Sequence, residues 1–320
     1  AKLEILDRDG KVLRSFSGKP AEAGKKEEAK ARTEGEPEPE EKPESATEKK
    51  TGYEKGGELT TEPDKKEEKG TEEKKDKKKT DDEEEQKAPM EAGLNRFNWD
   101  LLYKAGKTFP GLILWSGDPI QPAVMPGDYQ VRLTVGGIGG IGGMTRTAPF
   151  QVLKDPRSAA TLEDLQAQHD FLMSIRTKLD EMHDAIRRIR DVRAQLDEVK
   201  KRTDDMEGDH AKVLDAAKAL DEKMTKVEEA LYQTKNRSQQ DPLNFPVRLN
   251  DKLNALGSSA SLGDNRPTAQ AVQVRDQLVQ AVDAQLSTLT QILGQDLPAF
   301  NELAKTEGIP AVILSPSRLK

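Results

Sequence analysis

Residues 93–135 read GLNRFNWDLLYKAGKTFPGLILWSGDPIQPAVMPGDYQVRLTV, and the rest of the chain is organised around them. Phe97 and Trp99 alternate with Asn98, and Tyr129, Val131, Leu133 and Val135 alternate with Gln130, Arg132 and Thr134. A period of two predicts half-buried strands. Pro126-Gly127-Asp128 is a turn that launches the second strand. Tyr129, just inside it, is placed to return its hydroxyl to the preceding corner, as tyrosine corners do. The stretch reads as half of a small β-sandwich, with its pairing partner expected near the N-terminus. There, KLEILDRDGKVLRSF sets Leu3 and Ile5 between charges and Val12 and Phe16 at even spacing. Asp9-Gly10 supplies the positive-φ turn of a tight hairpin. Phe150 and Val152 make a last strand, ended by Asp155-Pro156.

Between these β segments, residues 19–91 hold 18 Lys+Arg against 25 Asp+Glu, while the whole chain holds 51 against 58. The net charge of −7 therefore sits in this one segment, and the remainder is neutral. Tyr53 and Leu59 are isolated apolar residues in it. Such a composition buries too little surface to offset its ordering entropy and predicts a disordered insertion. Lengthening a loop from about 5 to about 70 residues costs only about 2 kcal/mol of closure entropy, so a sandwich tolerates it. A neutral remainder argues against a nucleic-acid footprint, which needs a concentrated basic face. No apolar run approaches the roughly 18 residues of a membrane span, and no signal peptide is visible. The opening Ala-Lys-Leu starts inside an alternating pattern without an initiator Met, so an excised fragment is expected. The absence of Cys excludes disulfides and thiolate zinc sites.

From Thr161 the period becomes helical. Thr161-x-x-Asp164 has capping-box spacing, with Asp where Glu is usual. Leu165, Leu172, Leu179 and Ile186 recur every seven residues, with Ile175, Met182, Ile189 and Leu196 on the alternate seam and Arg193 breaking the first. This predicts a helix to about Met206, some 70 Å long at about 1.5 Å per residue. Gly208-Asp209 makes a turn and a new N-cap, and Val213, Ala217, Leu220, Met224, Val227 and Leu231 form a second seam. Pro242 and Pro246 interrupt; a short helix through Leu256 and a loop from Gly257 to Pro267 follow. Val272, Val279, Leu286 and Leu293, with Val282 and Leu289 between them, give a third seam, kinked or restarted at Pro298 before Gly308. Three seams joined by loops predict an antiparallel helical bundle or a hairpin coiled coil. Ile309 to Leu314 is a short apolar tail fit to dock on the bundle or on another domain.

Chemistry is hard to find. Gly137-x-Gly139-x-x-Gly142 matches a dinucleotide fingerprint in letters, but the chain then enters the strand around Phe150, so a hairpin loop is expected. His169 and His183 are about 20 Å apart along a helix and cannot share one ion. His210, at a helix start, is expected to face solvent. The pairs Asp180/Glu181, Asp204/Asp205 and Glu228/Glu229 read as a solvated helix face, not as glycosidase acids across a cleft. Asp100 after Trp99 has no second acid in a comparable setting, and no G-x-S-x-G elbow occurs. No cofactor, metal or catalytic residue is expected. Trp115, in LILWSG, is the one docking candidate: it packs on the β edge or bundle, stacks on a sugar, or anchors a neighbouring domain.

The pattern LEILDRDGKVLR, GLNRFNWD and MPGDYQVRLTV resembles the Ig-like domain of the flagellar hook-capping protein. The continuation FPGLILWSG, KDPR, DLQAQHDFL and IRRIRDVRAQL resembles the C-terminal region of bacterial BNR-repeat, sortilin-like β-propeller proteins, often labelled glycosyl hydrolases. The long insertion is the departure. The expectation is an α+β multidomain chain: residues 1–18 and 92–155 an Ig-like β-sandwich, 19–91 the disordered insertion, 156–308 an antiparallel α-helical coiled-coil bundle, and 309–320 a tail. The resemblance implies a non-catalytic accessory or scaffolding region of a secreted, periplasmic or envelope protein. It would pack on the propeller or self-associate through its heptad seams, and any active site of the parent would lie in the propeller. The alternative it implies is a glycan-contacting module of a glycoside hydrolase.

Overall fold

A computed structural model describes residues 1–18, 88–89, 93–136, 143–204, 206 and 208–314. The expected disordered insertion (save Ala88 and Pro89) and the glycine fingerprint at 137–142 lie outside the described residues. The chain is mixed α+β: a four-stranded antiparallel sheet precedes a set of helices.

Strands β1 (Lys2–Asp7), β2 (Val12–Ser17), β3 (Gly127–Val135) and β4 (Met144–Val152) lie in the order β2-β1-β3-β4. The Asp9-Gly10 turn forms as read: Gly10 sits at φ 83°, and the Asp7 carboxylate accepts from the amides of Asp9 (3.0 Å) and Lys11 (2.9 Å). Across the intervening segment, Leu3 faces Leu133 and Ile5 faces Val131. Pro149 in β4 lacks a donor and is tolerated because β4 is an outer strand. β3 and β4 pair antiparallel along their whole length, from Gly127 opposite Val152 to Val135 opposite Met144.

The second β stretch departs from expectation. Phe97 and Trp99 belong to no strand. Both edges of β1 and of β3 are already paired, so this segment instead lays its side chains on one face of the sheet. Ile5, Phe16 and Ala88 form that small core, with Leu3, Phe97, Trp99, Val131 and Phe150 against it. Phe16 meets Phe97 at 4.6 Å, and Trp99 stands edge-on to Phe150 at 6.1 Å. Among the described residues there is one sheet and no second facing it. The Tyr129 hydroxyl does return to the corner, donating to the Met125 carbonyl at 2.6 Å. Burial pushes its pKa up to about 12.

Helix α1 (Leu162–Asp204) starts at the expected box: Thr161 Oγ1 accepts from the Asp164 amide at 3.1 Å, and Asp164 accepts from the Thr161 amide at 3.1 Å. Arg266, with help from Thr161, holds the Asp164 carboxyl down to about 2. Helix α2 (Ala211–Leu231) buries every residue of the second seam. His210 does not face solvent; its ring turns in, 3.7 Å from Glu307. Helix α3 (Leu249–Ala260) follows, then α4 (Ala269–Gln291) and α5 (Leu297–Thr306). Pro298 does not break the last pair apart. A π turn over Ile292–Asp296 precedes it, with the Leu297 amide reaching back to the Ile292 carbonyl. Widening the helix there removes the ladder bond that proline cannot make.

Cross-links give the directions. Arg190 and Arg193 of α1 reach Glu228 of α2, and Arg193 also reaches Asp221, so these helices are antiparallel. Gln168 donates to the carbonyls of Ala260 and Gly263 (both 2.7 Å), which sets α3 antiparallel to the N-terminal half of α1. Arg266 on Asp164 and Lys178 on Asp283 set α4 parallel to α1. Thus α2 and α3 cover successive halves of one side of α1, and α4–α5 runs along another. The third seam is in phase but shallower than expected: only Val282 and Leu289 of α4 are buried.

Candidate docking site

No strand approaches a helix within 8 Å between Cα atoms among the described elements. The two layers are instead joined by residues 101–124, a strap that leaves the sheet, lies along the helices and returns. Its neck is closed by the Tyr103 amide on the Pro122 carbonyl and the Val124 amide on the Leu101 carbonyl, both at 2.9 Å. On the sheet side, Arg14 grips Asp100 with one nitrogen on both oxygens (2.8 and 2.9 Å), and Trp99 Nε1 donates to the Leu102 carbonyl at 3.1 Å. Asp100 is thereby a structural anchor with an ordinary ion-pair partner.

On the helix side, one face of α1 reads the strap's backbone. Asp180 accepts from the Lys107 amide. Arg187 donates to the Thr108 carbonyl, and Arg190 to the Pro110 carbonyl at 2.8 Å. His183 is fully buried, and its Nδ1 meets the Lys107 carbonyl. A carbonyl only accepts, so Nδ1 carries the proton and Nε2 is left bare in the interior, without a partner. Burial holds the imidazole pKa below its usual value. Phe109 plugs the joint, edge-on to His183 (5.1 Å) and Tyr232 (5.0 Å), with the Arg190 guanidinium 4.7 Å over its ring.

Further along, the Tyr232 hydroxyl donates to the Gly111 carbonyl at 2.8 Å and accepts from the Ile113 amide at 3.3 Å. The turn Leu114–Gly117 is then capped by α3. Asp251 accepts from the Trp115 amide (2.8 Å), the Ser116 amide (3.1 Å) and the Ser116 hydroxyl (2.8 Å). Asn254 donates to the Asp118 carbonyl (3.1 Å) and accepts from the Ile120 amide (3.0 Å). Gly257 lets Ile120 in: a Cβ there would stand 2.8 Å from Ile120 Cδ1.

Trp115 therefore has a clamped backbone, and the residue as a whole is 54% exposed. It is presented outward and does not pack as a core residue. The other candidates scatter. His169 rests on the Tyr103 ring at 5.4 Å. Asp180 holds the strap, Glu181 pairs with Lys178, and Glu228 is shared by two arginines; Asp205 lies outside the described residues. Among the described residues no group of His, Cys, Asp or Glu is arranged to hold a metal ion, and no helix is long and apolar enough to cross a membrane. A cleft of about 510 Å³ flanks the strap, lined by Pro110, Arg190, Arg193, Tyr232 and Arg237. Glu228 and Asp221 match its α1 arginines, so it is the rim of the joint and not an open anion site.

Asp251, Asn254, Tyr232 and Arg190 were not legible as site residues. Their one sequence signal is polarity at phases next to the seams, which a solvated face shows equally. Comparisons with protein-family models, with curated proteins and with solved structures find no match to this chain.

Proposed function

We propose that this chain is a non-catalytic scaffolding region of a larger secreted or envelope bacterial β-propeller protein, acting in interdomain packing or in holding subunits together. The observation that supports it is the strap: Asp180, Arg190, Tyr232, Asp251 and Asn254, the polar side chains gathered at this joint, are spent on holding the backbone of residues 107–120. In this reading the sheet, with its tyrosine corner and the crossing Phe97–Trp99 segment, is a reduced Ig-like sandwich, and the helices are a bundle of coiled-coil type. The coding sequence flanking this chain tests the parentage directly: a gene without an adjacent propeller contradicts it. With the propeller in hand, sedimentation of the two parts together should show a complex that Trp115→Ala weakens.

A second reading is kept by the exposure of Trp115. A clamped, outward indole suits stacking on a sugar ring, which would make the region a glycan-contacting module of a glycoside hydrolase. Glycan-array binding by the wild-type chain, lost in Trp115→Ala, supports it; binding that survives the substitution, or none at all, removes it.

A further inference from the structure

Helix α5 ends in a Schellman turn. Gly308 takes φ 72°, its amide bonds the Lys305 carbonyl at 3.1 Å, and the Ile309 amide bonds the Ala304 carbonyl at 2.9 Å. The chain then runs extended between α1 and α5, and two primary amides read it from either side. Asn301 of α5 donates to the Val312 carbonyl (2.9 Å) and accepts from the Val312 amide (2.8 Å). Gln195 of α1 does the same for Ile313, at 2.8 Å in each direction. Ile309 and Val312 enter the main core at 3% and 4% exposure, while Ile313 and Leu314 remain outside at 69% and 43%.

Two side chains that each take one residue's donor and acceptor, plus a socket for one valine, make a way of holding an extended peptide. It specifies little beyond an apolar anchor, and it needs no covalent link to α5. We propose that this groove between α1 and α5 is a peptide-recognition site, and that the tail of a second copy of the chain is its ligand in trans. The contacts are identical in either case, so the choice between them is set by the Gly308 turn and by mass action. A short tether supplies an effective concentration on the order of millimolar, which keeps the tail in its own groove at low protein concentration. The proposal does not depend on the propeller reading above.

The test uses the full chain. Val312→Asp should expel the tail and leave the groove vacant. A labelled peptide of residues 308–314, GIPAVIL, should then bind at least tenfold more tightly than to the wild-type chain, where the resident tail competes. Adding Gln195→Ala and Asn301→Ala should cut that binding at least tenfold. In sedimentation, Val312→Asp mixed with a chain carrying Gln195→Ala and Asn301→Ala should give a heterodimer that neither forms alone. Val312→Ser serves if the aspartate variant does not fold. A folded variant that binds no peptide at millimolar concentration and stays monomeric in the mixture overturns the proposal.

Discussion

Asp251→Ala is the sharpest probe of the strap. The carboxylate is 4% exposed and takes three donors from the Leu114–Gly117 turn. The substitution leaves two amides and a hydroxyl without an acceptor. Each orphaned donor costs about 1–3 kcal/mol when buried. Trp115 beside them is 54% exposed, so water reaches part of the turn, and the lower end applies. The expected loss is about 2–4 kcal/mol. If it appears as local opening, amide exchange at Trp115 and Ser116 should accelerate about 30- to 700-fold, at about 1.4 kcal/mol per decade. Hydrogen exchange reads those amides directly, and urea unfolding reads the global loss. Exchange at Trp115 and Ser116 within threefold of wild type, with the urea midpoint unmoved, would refute the assignment of Asp251 as the clamp.

Gly257→Ala should fail to give the usual helical gain of about 1 kcal/mol, because its Cβ meets Ile120 Cδ1 at 2.8 Å. Ile120→Val removes that atom, so a double-mutant cycle in urea should show favourable coupling of at least about 0.5 kcal/mol. Glu228→Ala leaves Arg190 without its carboxylate and Arg193 with Asp221 alone, and should cost about 2–3 kcal/mol, discounted because both arginines are partly exposed; Glu228→Gln should cost less by the same urea assay. His183 titrates below its usual pKa when folded. The unfolded chain therefore takes up the proton first, and stability, full above about pH 6.5, should fall as pH drops below it, by at most about 1.4 kcal/mol per pH unit. His183→Asn should flatten that slope in urea midpoints measured between pH 7.5 and 5.

Local signals in the sequence determined what depends on neighbours a few residues apart. Asp9-Gly10 specified its hairpin, Thr161 and Asp164 specified the start of α1, and the spacing of Val213 through Leu231 specified the buried face of α2. These follow from backbone geometry and from the periods of strand and helix, which every segment carries within itself. The pairing of β1 with β3 was also legible, because matched alternation on two strands leaves each an apolar face to cover. Only the tertiary structure decided the rest. Phe97 and Trp99 have the alternation of a strand, yet every central edge was already paired, so they cross the sheet's face. Asp180, His183, Arg187 and Arg190 have the look of a wet helix face, yet they bind the backbone of residues 107–110. Whether a polar side chain meets water or a distant carbonyl is set by what packs against it, and no pattern along the chain records that.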